Sequence, residues 1–599
     1  MMSVVIVYQV VARYIFASPS NVSDELLRFS LIWSGILGAV VCFMHGTHLS
    51  LPIILDRMNE THRAQANIFN HVMSIALGVV IFVGGLVAVE KNFEITTAIL
   101  GWSIGALQTV LVISGLVIIV DQVVKTLAYM TNLRNILTAL FSVVLCLGVY
   151  YLVSDLKNDD SFVDVLYEHL ELISGIVLFA SFAVFLVLGT PIAVGLALSG
   201  ILTLSLQIEN ADLFATSGEK FYSGLDSFGF LALPFFILAG NIMNQGGIAR
   251  KLIDFAMMIG RKIPGNLFQA NCLANMLFGS LSGSAIAAAT AIGGIVSPMQ
   301  KEEKYDEHFA AAVNAASSIS GFLIPPSGCF IVYSLITGGA ASIGALFLAG
   351  YIPGIIIGLA VMIVAFYFAK KHGYKTATDK LKMSEAMRVT LDAIPSLFLI
   401  ILVIGGIVLG VFTATEASGI AVAYSVLLSI CYRTLTLKRL GNILLHSALG
   451  SAVILFLIAC SGLMSWSMTF ASIPDAVGEA LIAISDSKYV ILLLINITLL
   501  IVGLFMDMTP AMLIFTPILF PVVTQLGVDP VHFGIILTYN LSLGVITPPV
   551  GTVLFVSANV ANVKVTKVIK PLMPIFLAQL VGLILVTYIP ALSLALPHF

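Results

Sequence analysis

Charged residues are scarce in this sequence. Asp, Glu, Lys and Arg make up 10% of its 599 residues, and the net charge at neutral pH is −3. No basic tract interleaves with aromatic residues, which excludes nucleic acid as a partner. Cysteine is rare as well. The six (Cys42, Cys146, Cys272, Cys329, Cys431 and Cys460) lie scattered in apolar runs without CxxC or Cys/His spacing. They read as small buried hydrophobes, not as a metal site. Neither a GxxxxGK[ST] phosphate loop nor an HExxH zinc helix occurs, so ATP hydrolysis has no cradle here. The letters GxSxG do occur, at Gly101-Trp102-Ser103-Ile104-Gly105. They fall in a short link between two apolar runs, whereas a nucleophile elbow needs a strand before it and a helix after it.

What the chain has in abundance is apolar length. Hydrophobic residues reach 59% and the mean hydropathy is +1.07, values of an all-α polytopic membrane protein. Runs of spanning length fall near 1–16, 27–45, 66–90, 104–128 and 134–153. No cleavable signal peptide is evident, because Met1 leads directly into the apolar run Val4 to Ile15. An acidic connector, Ser154 to Glu171, then marks a boundary. The expected division is 1–130, a four-helix membrane domain; 131–169, a connecting transmembrane helix and acidic linker; and 170–599, a longer glycine-rich domain.

That last domain contains a passage written twice. Ile324-Pro325-Pro326-Ser327-Gly328 returns as Thr547-Pro548-Pro549-Val550-Gly551, a separation of 223 residues (548 − 325), and Pro298 and Pro521 keep the same spacing. A double proline beside glycine breaks a helix and frees backbone carbonyls. Within hydrocarbon such groups are tolerated only against protein or a wet cavity. Paired interruptions of this kind point to the binding site of a transporter.

Basic residues set the orientation. Arg250-Lys251, Arg261-Lys262 and Lys301/Lys304 form one cytoplasmic cluster, Lys370-Lys371 through Arg388 a second, and Arg433, Lys438 and Arg439 a third. The acidic connector, the turn Thr413 to Glu416 and the stretch Ser472 to Asp486 then face outside. Residues 265–300 are bracketed by basic residues at both ends and carry Gly279-Ser280-Leu281-Ser282-Gly283-Ser284 in the middle, which predicts a re-entrant hairpin from the cytoplasmic side. The matching segment 488–523, with Gly503 to Pro510 at its middle, predicts a second hairpin entering from outside. Opposite entry of equivalent elements defines inverted-topology repeats. The stretches 247–260 and 380–390 are expected as surface helices.

Each hairpin tip should face a broken helix. Ser280, Ser282 and Ser284 would stand opposite Ser320, Pro325, Pro326, Ser327 and Gly328; Gly503, Asp507 and Thr509 would stand opposite Ser542, Thr547, Pro548 and Gly551. Carbonyls and hydroxyls there suit a small hard cation, and free N–H groups at helix starts suit an anion. Asp507, inside a membrane run, is a functional residue by default. With few buried carboxylates, sodium coupling is favoured over protons. An intramembrane enzyme using Asp507 and Ser284 would need an adjacent base, and none is near in sequence; a passive channel does not fit two plugging hairpins. Glu416 is expected to be solvated at its outside turn, and His308 and His532 to anchor at the membrane interface.

At these residues the chain resembles the membrane component of a tripartite ATP-independent periplasmic (TRAP) transporter with small and large subunits fused. The large-subunit likeness covers 170–599 and rests on Leu233-Pro234-Phe235-Phe236-Ile237-Leu238-Ala239-Gly240, Met243-Asn244-Gln245-Gly246-Gly247, the Ser/Gly tip and both Pro-Pro passages. Residues 1–130 resemble the small subunit through Gln9-Val10-Val11-Ala12-Arg13-Tyr14, Asp24-Glu25-Leu26-Leu27-Arg28 and Trp33. The stretch 134–153 resembles the helix that joins fused subunits. The resemblance implies a sodium-driven importer in the bacterial inner membrane. It would be surrounded by membrane lipid, receive an organic acid from a periplasmic solute-binding protein and move by an elevator mechanism. It further implies Na+ sites involving Ser280, Ser282, Pro325 and Gly328 in one half and Gly503, Thr509, Thr547 and Gly551 in the other. Substrate would lie near Ser284, Ser327 and Asp507. Sialic acid is the favoured cargo, with C4-dicarboxylates or sugar acids as alternatives.

Overall fold

The computed structural model describes residues 1–50, 55, 58–374, 383–485 and 487–597. Twelve helices among them are long and apolar enough to cross a bilayer, and a bridge between Thr96 and Ser103 is their only β-type pairing.

The N-terminal part opens with α1 (Met2–Tyr14) and α2 (Asn21–His45). At 1.5 Å per residue α1 is about 20 Å long, too short for an apolar core of about 30 Å. Helix α2 starts where the Ser20 hydroxyl accepts from the Ser23 N–H and stops at Gly46, whose φ of 64° is the left-handed conformation glycine adopts without strain. Helices α3 (Glu60–Asn92) and α4 (Ile104–Tyr129) pack along each other. Helix α5 (Leu133–Leu156) leaves Leu137, Leu140, Phe141, Val144 and Leu147 exposed, the surface of a helix turned to lipid. The acidic connector folds into the short α6 (Asp160–Glu168).

The larger part continues with α7 (Leu170–Val187), α8 (Ile192–Ser205), α9 (Asn210–Ser223), α10 (Ala232–Gln245) and α11 (Ile248–Gly260). Helices α12 (Asn266–Ser282) and α13 (Ala285–Glu302) then form the first hairpin. Its ends lie together: Gln300 Nε2 donates to the Leu267 carbonyl at 3.4 Å and the Tyr305 hydroxyl to Asn266 Oδ1 at 2.6 Å. The chain proceeds through α14 (Glu307–Ser318), a tight turn Ile319–Phe322 and α15 (Gly328–Ile336). Next come α16 (Ile343–His372), α17 (Met383–Val408), α18 (Ala414–Cys431) and α19 (Leu437–Phe470). The second repeat holds α20 (Ile473–Ile484), α21 (Lys488–Gly503), α22 (Met508–Gln525), α23 (Pro530–Gly544) and α24 (Thr552–Val560), followed by α25 (Val565–Tyr588) and α26 (Ala591–Leu594).

The two parts meet along α1–α18, α2–α19 and α3–α9. Small residues allow these approaches where lipid gives no hydrophobic drive. Gly84 of α3 lies so close to Gly218 of α9 that a side chain on either would strike the other's backbone.

Three expectations need correction. Lys375, Lys380 and Lys382 lie outside the described residues, and 383–390 is no separate surface helix but the first turns of α17, continuous to Val408. No helix-breaking residue separates the two, and Pro395 sits inside the helix further on. Glu416 is not solvated: its side chain is 1% exposed and bonds Arg13 Nη1 at 2.6 Å. His532 is buried inside the protein, with Nδ1 2.5 Å from the Ser593 hydroxyl and Nε2 3.2 Å from the Thr587 carbonyl.

Candidate functional site

The two halves repeat their local devices at the offset read in the sequence. Asp306 caps α14 and Asp529 caps α23 (529 − 306 = 223), each carboxylate accepting two backbone N–H bonds. Both breaks contain a cis Pro-Pro bond, Pro325-Pro326 and Pro548-Pro549. In each half a hairpin helix crosses a broken helix glycine against glycine: Gly279 faces Gly321 and Gly503 faces Gly544, so close that a Cβ would collide with backbone. Buried amides fasten the same crossings. Asn275 Nδ2 donates to the Ser317 hydroxyl at 2.8 Å, and Asn540 Nδ2 donates to Asn496 Oδ1 at 2.8 Å.

The hairpin tips are N-caps. Gly283 turns the first tip with φ 60°, and the Ser284 hydroxyl accepts the Ala287 N–H at 3.3 Å to start α13. The second tip begins α22 at Asp507, whose Oδ1 accepts the Met508 N–H at 3.0 Å and the Thr552 hydroxyl at 3.4 Å. Tip and break also touch directly in the second half, where the Val550 N–H donates to the Leu504 carbonyl at 3.3 Å.

Both tips open into one cavity of about 300 Å³. Of the residues singled out in the sequence, Ser282, Ser284, Gly328, Asp507 and Thr509 line it, together with Gly283 and Pro326. The remainder do not. Ser280 and Ser327 are buried behind it, donating to the Leu277 and Phe322 carbonyls at 2.7 and 2.6 Å. Pro325 lies inside the break next to Pro326; Gly503, Thr547 and Gly551 belong to the second crossing, where the Thr547 hydroxyl donates to the Gly544 carbonyl at 2.7 Å. Asn241, Cys329 and Met508 line the cavity without having been anticipated. Thr552 also escaped notice, although it stands 223 residues after Cys329 (552 − 329). The carbonyls of Pro325, Pro326, Pro548 and Pro549 accept no backbone hydrogen bond among the described residues. Unwound carbonyls of this kind fit a sodium ion.

Twelve apolar spans, duplicated hairpins and broken helices meeting at one internal cavity define a multi-pass membrane transporter. Residues 179–592 match the family model of the tripartite ATP-independent periplasmic transporter, DctM component, and residues 2–132 match that of the DctQ component. The chain belongs to the TRAP transporter family, as a fused membrane component of the bacterial inner membrane, and it is not an enzyme. A Salmonella typhimurium protein, YgiK, is 49% identical over 422 residues, covering 70% of this chain and 97% of its own. The isethionate TRAP transporter permease protein DctMQ of Oleidesulfovibrio alaskensis is 32% identical over 606 residues, covering 98% of this chain and 92% of its own. The sialic acid TRAP transporter permease protein SiaT of Haemophilus influenzae is 29% identical over 605 residues, covering 99% and 96%.

Proposed function

We propose that this chain imports an organic acid with sodium, taking it from a periplasmic solute-binding protein and carrying it inward by an elevator movement. The observation that supports this best is the convergence of Ser284, Asp507 and Thr509 on one cavity, from tips 223 residues apart (507 − 284). The moving unit comprises α12–α15 and α21–α24, each half a hairpin locked to a broken helix by its glycine crossing. The scaffold comprises the remaining long helices, widened by the small domain through α1–α18, α2–α19 and α3–α9. On this reading 1–130 is the small-subunit domain, 131–169 the connecting helix and linker, and 170–599 the transport and scaffold domain.

Sodium would be held by the first tip, Ser280 to Ser284, with Pro325 to Gly328, and by the second tip, Gly503 to Thr509, with Thr547 to Gly551. Substrate would lie between Ser284 and Asp507, with Ser327 shaping the wall from behind. Relatives are named for isethionate, sialic acid, C4-dicarboxylates and 2,3-diketo-L-gulonate. Sialic acid, favoured by the fused organisation, heads the panel to assay. The test is uptake of labelled acids into proteoliposomes containing the full chain. Uptake should require both an inward sodium gradient and a cognate periplasmic solute-binding protein. Uptake by the isolated chain without either would overturn the proposal.

A further inference from the structure

The cavity has a fixed side as well as a moving one. Facing the hairpin tips are α10 and, from α19, Gly450 and Ile454. One further lining residue stands outside the larger part altogether. Leu49 lies just beyond the end of α2, and among the described lining residues it alone comes from 1–130.

The small part reaches the cavity by folding back. Helix α2 stops at Gly46 in the left-handed conformation, and the Thr47 N–H returns to the Cys42 carbonyl at 3.0 Å. His48 Nε2 then lies 3.0 Å from the Ala39 carbonyl, six residues before the last of α2 (45 − 39) and so about 9 Å back along the helix. Arg13 and Tyr14, which precede α2, meet the outside turn at Glu416. Helix α2 is long enough to span, so it begins outside and ends on the cytoplasmic side. Leu49 therefore enters the bilayer from the cytoplasm.

Three contacts hold it there. Its carbonyl accepts the Ile192 N–H that opens α8, at 2.9 Å. The His48 ring packs between Phe43 of α2 and Phe456 of α19, with centroids 4.0 and 5.6 Å away. Lys125 Nζ of α4 caps the end of α2, donating to the Phe43 and Met44 carbonyls at 2.5 and 3.0 Å. None of these partners belongs to the moving unit, so Leu49 stays in place when the tips move. A leucine that only sealed the junction would be covered on every side, whereas Leu49 is half-buried and keeps part of its surface in the cavity.

We infer, resting on the importer reading above, that Leu49 is a fixed lip on the cytoplasmic exit of the cavity. Cargo leaving the tips passes it, and the size of this side chain sets how fast the acid is released. Leucine offers the cargo no hydrogen bond, so it governs clearance and not affinity. Release is the slow step of many cycles gated by moving elements, and a residue at the exit then acts on the maximal rate. The small part thus contributes to the transport path itself.

The test compares the wild-type chain with Leu49→Trp in proteoliposomes, using labelled N-acetylneuraminate, isethionate or succinate, whichever the wild type takes up. The rigid indole fills the exit. With an inward sodium gradient and saturating binding protein, L49W should lower the maximal uptake rate at least fivefold. The half-saturating concentration of binding protein, which docks on the outer face, should stay within twofold. A maximal rate equal to wild type would overturn this inference and leave the importer standing. No uptake of any of the three acids by the wild type would fell the importer reading and this inference with it. Because Trp can also strain the junction, Leu49→Cys gives a second reading. A membrane-impermeant thiol reagent applied from the cytoplasmic face should modify residue 49, read by peptide mass spectrometry. It should also cut uptake at least fivefold relative to wild type treated alike, which carries the background of the native cysteines. Residue 49 modified from the outer face, left unmodified from both, or modified with uptake equal to treated wild type would each overturn the inference.

Discussion

Replacing Glu416 or Arg13 tests how the small part is held. The Glu416 carboxylate accepts from Arg13 Nη1 at 2.6 Å and from the Tyr14 hydroxyl at 3.1 Å across the boundary. It also accepts from the Thr413 N–H and hydroxyl, each at 2.9 Å, completing a capping box at the start of α18. Glu416→Ala removes the box, worth about 1 kcal/mol, and the cross-boundary bonds with it. A charge-assisted bond contributes about 1.5–3 kcal/mol, but Arg13 is 48% exposed and regains water when released. That discount leaves about 1–2 kcal/mol for the pair, and about 2–3 kcal/mol in total for E416A. Arg13→Ala should cost at least as much, because it leaves a carboxylate only 1% exposed facing no cation. The double variant should then cost less than the sum of the singles by about 1–2 kcal/mol. Equilibrium unfolding of the four proteins in mixed micelles reads this difference. Additivity to within about 0.5 kcal/mol, the tolerance for independent sites, would refute the clamp.

Other outcomes follow from the site. Asp507→Asn should lower sodium-driven uptake at least tenfold while thermal unfolding stays near wild type; sodium dependence unchanged in D507N would remove Asp507 from the proposed ion and substrate site. Gly544→Val must push against the Gly503 backbone, costing about 1–3 kcal/mol as an overpacked contact. A midpoint equal to wild type would show that the crossing is looser than described. Ser103→Ala deletes a cap accepting from the Ala106 N–H at 3.2 Å, so stability should fall by about 1 kcal/mol. Uptake should persist, and its loss would reopen the GxSxG string as chemistry.

The sequence disclosed what depends on local spacing. The 223-residue offset, the breaks at the double prolines and the Ser/Gly tip are all contiguous signals, and each reappears in the structure as a cap, a cis bond or a turn. What it concealed depends on distant partners. Glu416 looked like a solvated turn residue because Arg13, which neutralises it, lies 403 positions away. The serines of the first tip looked equivalent, yet successive helical residues turn to different sides. Ser282 and Ser284 reach the cavity, while Ser280 does not. Ser327 seemed to face substrate, but its hydroxyl satisfies the Phe322 carbonyl that the break had freed. His532 beside Asp529 read as an edge residue because its acceptor, Thr587, belongs to α25.

Helices α5 and α6 make the assembly of the two parts an intramolecular event. Their local concentration is set by that tether, on the order of millimolar for a short link, and does not change on dilution. A weakened Arg13–Glu416 contact would loosen the junction between the two parts without separating them. In a two-chain version the same lesion would empty the membrane of complete complexes at low expression.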